Sequence, residues 1–143
     1  GDASQALAGR ALLLSEFLAR EAEAGRATPP FRPMQATLYI HGHCHQKAHN
    51  AFAPAVAALR AIPELTVKPI ASSCCGMAGA FGYQAETADV SRAMAELALL
   101  PAVRAAAPED IIVADGTSCR HQIADLAGRT ALHSVRVMEQ ALA

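Results

Sequence analysis

Cys44, the adjacent pair Cys74 and Cys75, and Cys119 are the residues of this sequence whose chemistry stands out. Thiolates serve as nucleophiles, redox groups and soft-metal ligands, and their surroundings decide among these roles. Here the flanks are polar and rich in glycine: His41-Gly42-His43-Cys44-His45-Gln46-Lys47, Ser73-Cys74-Cys75-Gly76-Met77-Ala78-Gly79, and Asp115-Gly116-Thr117-Ser118-Cys119-Arg120-His121-Gln122. A cysteine that merely packs sits among apolar neighbours, which these flanks are not. Cys74 and Cys75 are poorly placed to bridge each other, and six histidines accompany the four cysteines. That mixture suits metal chemistry in a reducing compartment better than a secreted disulfide framework.

The neighbours support a thiolate site. Lys47, Arg120 and the starts of the following helices can offset negative charge on sulfur. Gly76, Gly79 and Gly82 let the backbone come close to a bulky inorganic group, with their amides aimed at its sulfurs. His43, His45 and His121 stand as partners to the ligands or as alternative ligands, while His41 and His133 fall at element boundaries and are read as orienting backbone. Asp115 is read as capping the loop that presents Cys119.

The elements that must position these residues follow from periodicity. Leu7, Ala11, Leu14 and Leu18 recur at helical spacing, predicting an amphipathic helix from Ser4 to about Ala24. Pro29, Pro30 and Pro33 then mark a linker, so residues 1–35 are expected to form a helix and linker ahead of a unit spanning 36–143. Residues 36–40 read as a buried strand, 53–61 as a helix, 65–70 as a strand that Pro69 places near a sheet edge, and 86–99 as one long helix. That long helix is expected to bury Val90, Met94 and Leu97 and to pair Arg92 with Glu96. Residues 110–114 form the clearest strand, Cys119 to about Leu126 a short helix, 130–132 a last short strand and 133–142 a helix. Alternating strands and helices predict an α/β fold: a single Rossmann-like domain with a mainly parallel sheet of about four strands flanked by helices. Loops leaving the carboxyl ends of such strands share one edge of the sheet, and those loops carry Cys44, Cys74, Cys75 and Cys119.

Composition excludes other classes. Of the 143 residues 52% are apolar, but aromatics reach only 4% and Trp is absent, so the core is built from Ala, Leu, Val and Ile. The 12 basic and 13 acidic residues are scattered and leave a formal net charge of -1, which gives no footprint for nucleic acid or an anionic membrane. No apolar run reaches the roughly 20 residues of a membrane span. The chain begins at Gly1 without a secretory pattern, so it reads as a fragment of a larger cytoplasmic protein, or of one peripheral on the cytoplasmic membrane.

Cys74-Cys75-Gly76, with Cys44 upstream and Cys119 downstream, resembles the cysteine-rich CCG domain. That domain occurs in heterodisulfide reductase subunits and in the iron–sulfur parts of glycolate, D-lactate and related 2-hydroxy-acid oxidases. The motifs around Cys44, through Ala48, around Cys74, through Tyr83, and around Cys119 resemble the C-terminal segment of fused FAD-binding and iron–sulfur-binding oxidoreductases. The resemblance implies electron transfer from FAD on another domain, through iron–sulfur centres, toward an acceptor such as a quinone. FAD-binding and ferredoxin-like domains would then be its partners. The fullest family pattern ends in Cys-x-x-Cys, and this sequence has Gln122 at the last position. Four thiolates can hold a 4Fe-4S cluster or a tetrahedral zinc.

Three other readings are weaker. A zinc-stabilised module could dock flavin and ferredoxin-like domains without carrying electrons. A nucleotide-binding loop from Gly76 to Gly82 lacks the G-x-G-x-x-G spacing, and a Cys–His nucleophile built from sequence neighbours rarely has the needed geometry.

Overall fold

The structure is a computed structural model that describes residues 1–26 and 28–143; Ala27, within the stretch read as helix and linker, lies outside the described residues. Four strands, β1 (Ala36–His41), β2 (Leu65–Pro69), β3 (Ile111–Ala114) and β4 (Ala131–Leu132), form one sheet in the order β2-β1-β3-β4. Every pairing is parallel, with Leu38 opposite both Val67 and Ile111, and His41 opposite Ala114. Parallel neighbours cannot be joined by a tight turn, so helices fill the crossovers. Around the sheet lie α1 (Asp2–Ala8), α2 (Leu14–Glu23), α3 (Cys44–Ala48), α4 (Phe52–Arg60), α5 (Ala88–Glu96), α6 (Leu99–Ala105), α7 (Thr117–Ala127) and α8 (Ser134–Gln140). The α/β class and parallel sheet expected from the sequence are thus observed.

Strand alternation divides the core between the two faces of the sheet. Leu38, Ile40 and Val113 pack with Leu59 of α4 and with Val137 and Met138 of α8. Tyr39, Ile112 and Ala114 face the other side, against Leu99 and Val103 of α6 and Cys119 and Ile123 of α7. Cys75 and Met77 belong to this second cluster, so the cysteine loop is built into the core. Pro69 ends the edge strand β2, and the next amide, Ile70 N–H, donates to Ile40 O at 2.9 Å, so the missing donor costs the ladder little.

Several elements differ from their sequence reading. The opening helix is broken between Ala8 and Leu14. No residue of α1 is buried, so tertiary packing gives no reason to carry the helix past Gly9. A fresh start follows at Leu13, whose N–H donates to Glu16 Oε2 at 2.8 Å, and α2 packs on α4. Cys44 does not sit in a loop but opens the short helix α3, and α7 starts two residues before Cys119.

The long helix expected over residues 86–99 is two helices, α5 and α6. Pro101 lacks an N–H, and its ring would collide with the Leu97 carbonyl in a continuous helix; in the first turn of α6 neither matters. The buried face of α5 is also different: Val90 is 53% and Leu97 77% exposed, while Ser91 and Ala95 are buried. Only small residues fit where α5 meets the cysteine loop. Arg92 pairs with Asp89 at 3.0 Å and Glu96 with Arg104 at 2.7 Å, not with each other.

These assignments are separable by mutation. Leu59→Ala, at a fully buried site, is expected to cost about 2–5 kcal/mol. Leu97→Ser, on the exposed side of the same fold, should cost under about 0.5 kcal/mol. Chemical denaturation of both variants measures the difference, and equal losses would contradict the observed packing.

Candidate metal centre

Three crossovers carry the cysteines to the carboxyl edge of the sheet, where Cys75 and Cys119 come together with His41, while Cys44 and Cys74 stand outside that inner group. Beyond β1 the chain runs through Gly42 and His43 into α3, and Cys44 is its first residue. The His43 ring caps this helix by accepting from His45 N–H at 3.2 Å, and Gln46 Oε1 accepts from His43 N–H at 3.0 Å. Beyond β2 an irregular loop carries Cys74 and Cys75. Beyond β3, Asp115 and Gly116 lead into α7, which holds Cys119 in its first turn.

Burial grades the site from inside to outside. Cys75 and Cys119 are 3% and 1% exposed, Cys74 is half-buried and Cys44 is exposed. The innermost group includes a residue that the sequence reading treated only as a backbone orienter: a ring nitrogen of His41 lies with the Cys75 and Cys119 sulfurs, all three within 4.8 Å of one another. His41 Nδ1 is bonded to Ser72 Oγ at 2.7 Å, and its Nε2 has no partner. Strand alternation was the signal available: with Leu38 and Ile40 on one face, His41 must point into the other, where the cysteine loop lies.

The thiols are electrostatically joined. The Cys119 thiol, donating toward Cys75, is the largest influence drawing the Cys75 thiol down to about 4; burial opposes this, and His41 and the Met77 amide assist. Cys119 is correspondingly pushed up, first by that contact, then by burial and by the charges of Cys75, Cys44 and Cys74. Burial raises Cys44, and the neighbouring Cys74 thiol raises it further, against a weaker opposing pull from Lys47.

Other residues singled out from sequence build the frame. Lys47 Nζ donates to the Ser72 carbonyl and, at 2.7 Å, to the Ser73 carbonyl, fixing the approach to Cys74. Arg120 donates to the carbonyls of Ala114 at 2.9 Å and Asp115 at 2.8 Å and to Thr117 Oγ1 at 3.2 Å, clamping the end of β3. Asp115 accepts from Gln46 Nε2 at 2.6 Å and from Ser134 N–H at 2.8 Å, joining α3 to the start of α8. The His43 ring lies against Gly116, where a Cβ would collide with it, and burial holds its pKa down. His45 is exposed and stacks on His49 at 5.7 Å between centroids, and His121 is exposed on α7.

The glycine loop makes its closest approaches to protein. Gly76 N–H donates to Cys74 Sγ at 3.3 Å, but at φ 86° a Cβ on Gly76 would strike the Ser91 carbonyl of α5. Gly82 packs on Met77 and Ser91 in the same way. Gln122, one turn beyond Cys119, is buried and donates to Ser91 Oγ at 2.9 Å and to the Cys75 carbonyl at 3.0 Å. It anchors the loop to α5 and α7, a role its sequence position did not advertise. Beside the centre, Leu13, Leu14, His43, Asp115 and His133 help line a cavity of about 580 Å³.

Gly76→Ala should therefore cost about 2–4 kcal/mol, combining left-handed strain with the collision at Ser91. Gly79→Ala, at φ 71° but in open space, should cost only about 1–2 kcal/mol. Denaturant midpoints of the two variants provide the check.

Comparison with known proteins gives related partial matches. The chain is 28% identical over 131 residues to one subunit of the anaerobic glycerol-3-phosphate dehydrogenase of Escherichia coli K12, covering 92% of this chain and 32% of that polypeptide. Its counterpart from E. coli O157:H7 matches to the same extent. The chain is 30% identical over 128 residues to the D-2-hydroxyglutarate dehydrogenase of E. coli K12, covering 89% of this chain and 12% of that enzyme. It thus spans only a third or less of the curated relatives it matches. No protein-family model matches the chain, and no solved structure matches it significantly. Among the described residues no helix is long and apolar enough to cross a membrane. The chain is therefore related to parts of dehydrogenases and carries a buried His/Cys/Cys group able to hold a metal.

Proposed function

We propose that residues 36–143 form the electron-transfer domain of an FAD-linked oxidoreductase acting on a D-2-hydroxy acid of the glycolate, D-lactate or 2-hydroxyglutarate type. In this reading Cys44, Cys74, Cys75 and Cys119 hold a 4Fe-4S cluster, and α2 ahead of the domain packs on α4. The observation that carries it is that Cys75 and Cys119, from two separate crossovers, meet within 4.8 Å beside His41 at the carboxyl edge of a parallel sheet, and the crossover from β1 brings Cys44 to that same edge. The similarity to part of D-2-hydroxyglutarate dehydrogenase supports the substrate class.

Such a cluster would supply a one-electron relay. The protein's part is to hold the sulfurs in place and control their exposure. Arg120 and Asp115 fix the end of β3, while Lys47 fixes the loop before Cys74. Cys75 and Cys119 close the inner side against apolar core, and the exposed Cys44 leaves the outer side facing solvent. That outer side is where FAD-binding or ferredoxin-like domains, or an acceptor such as a quinone, would approach. A zinc-stabilised docking module is the second reading, favoured by the nitrogen that His41 adds to the inner sulfurs.

Anaerobic reconstitution of the full-length protein, followed by iron and sulfide analysis and EPR, tests the assignment. Cys75→Ser and Cys119→Ser are each expected to lose one cluster's worth of iron and sulfide, about four of each, together with one reduced-state signal. Unchanged iron, sulfide and EPR in both variants would refute it, whereas stoichiometric zinc lost in both would select the second reading.

A further inference from the structure

We propose that His41 is a direct ligand of the centre through Nε2, making it a mixed imidazole–thiolate site, and that Ser72 holds the tautomer that frees this nitrogen. This deepens the zinc form of the metal-centre reading above, in which a single ion takes the inner His/Cys/Cys group, and rests on that form.

The starting observation is an unsatisfied atom. Among the described residues, His41 Nε2 is the buried side-chain nitrogen or oxygen with no well-formed hydrogen bond, and the groups beside the ring are the Cys75 and Cys119 sulfurs. Leaving such a group unpaired costs about 1–3 kcal/mol, and folded proteins seldom tolerate it without a purpose. His41 is fully buried, and its strand register opposite Ala114 fixes it in the core. The ring cannot turn to solvent for its missing partner.

The other nitrogen shows why Nε2 is suited to metal. Ser72 Oγ lies 2.7 Å from His41 Nδ1 and 3.5 Å from the Ile70 carbonyl. With the hydroxyl pointed at that carbonyl, it accepts from Nδ1–H, and the lone pair of the imidazole then resides on Nε2. A ligating histidine typically donates its other N–H in this manner, fixing both tautomer and ring orientation. The converse tautomer would turn an N–H toward sulfur and take the serine hydroxyl away from Ile70.

Geometry supplies the rest. Bonds of about 2.3 Å to sulfur and 2.0–2.1 Å to nitrogen imply separations of roughly 3.5–3.8 Å between ligand atoms in a tetrahedral site. The His41, Cys75 and Cys119 atoms already lie within 4.8 Å of one another, so a small contraction closes them around one ion. Cys44 and Cys74, on the crossovers from β1 and β2, are the thiols left for the remaining position. Gln122, whose amide is engaged with Ser91 and Cys75, adds no further donor.

Cadmium NMR on metal-free full-length protein titrated with cadmium, carrying isotope-labelled histidine, tests the proposal directly. The expected result is a one-bond coupling from cadmium to one imidazole Nε2, with a cadmium shift outside the range for four thiolates. His41→Cys should keep cadmium, lose the coupling and move the shift into the all-sulfur range; Ser72→Ala should weaken binding about 10–100-fold. Bound cadmium with no imidazole coupling in the wild-type protein overturns the role of His41 while leaving the cysteine reading intact. A coupling that survives in His41→Cys also overturns it, since the nitrogen then belongs to another histidine. If the wild-type protein takes up no cadmium through its cysteines, the underlying reading fails and this proposal with it.

Discussion

Strands that pair in parallel must each send the chain back across the sheet before the next begins, so their crossovers all leave from one edge. In this protein the three crossovers from β1, β2 and β3 carry all four cysteines. Residues far apart in sequence thereby become neighbours without any long loop having to fold back. The central pair β1 and β3 sets the floor of the site: His41 and Ala114 are opposite each other, and Cys119 lies in the first turn of the helix that follows β3. Lys47, Asp115, Arg120 and Gln122 keep those three departures in register.

The loop carrying Cys74 and Cys75 has no regular structure, so its position must come from elsewhere. Lys47 holds its first carbonyls, Gln122 holds the Cys75 carbonyl, and α5 presses against Gly76 through Ser91. This close fit demands small residues on both sides, which is why α5 buries Ser91 and Ala95 and turns Val90 and Leu97 outward. The frame puts hydrogen-bonded polar groups at the rim and apolar side chains behind Cys75 and Cys119. A polar atom without a partner remains at one inner position, the Nε2 of His41.

Much of this was legible in the residues. Apolar runs marked β1 and β3, Pro69 marked an edge strand, and the positions of the cysteines after strands pointed to one edge of an α/β sheet. The face of α5 was not legible, because a Val90–Met94–Leu97 stripe looks buried unless the neighbouring glycines are known to need the space. Helices that periodicity joined are broken near Gly9, where α1 has no buried face to extend, and before Pro101, by steric exclusion. His41 escaped notice as a donor because a histidine at a strand end is ordinarily satisfied by backbone, and only the tertiary structure shows its Nε2 left bare. Lys47 and Arg120 carried charges that suggested a role at sulfur, while the structure commits both to main-chain carbonyls.

The claim that bears most weight is that Cys44, Cys74, Cys75 and Cys119 surround a single inorganic centre. Anomalous diffraction at the metal absorption edge, from crystals of anaerobically prepared full-length protein, observes this without mutation. One anomalous peak group is expected at the carboxyl edge of the sheet, bonded to sulfurs from all three crossovers. Anomalous scatterers bound elsewhere, with Cys75 and Cys119 free and in contact only with core side chains, would contradict it.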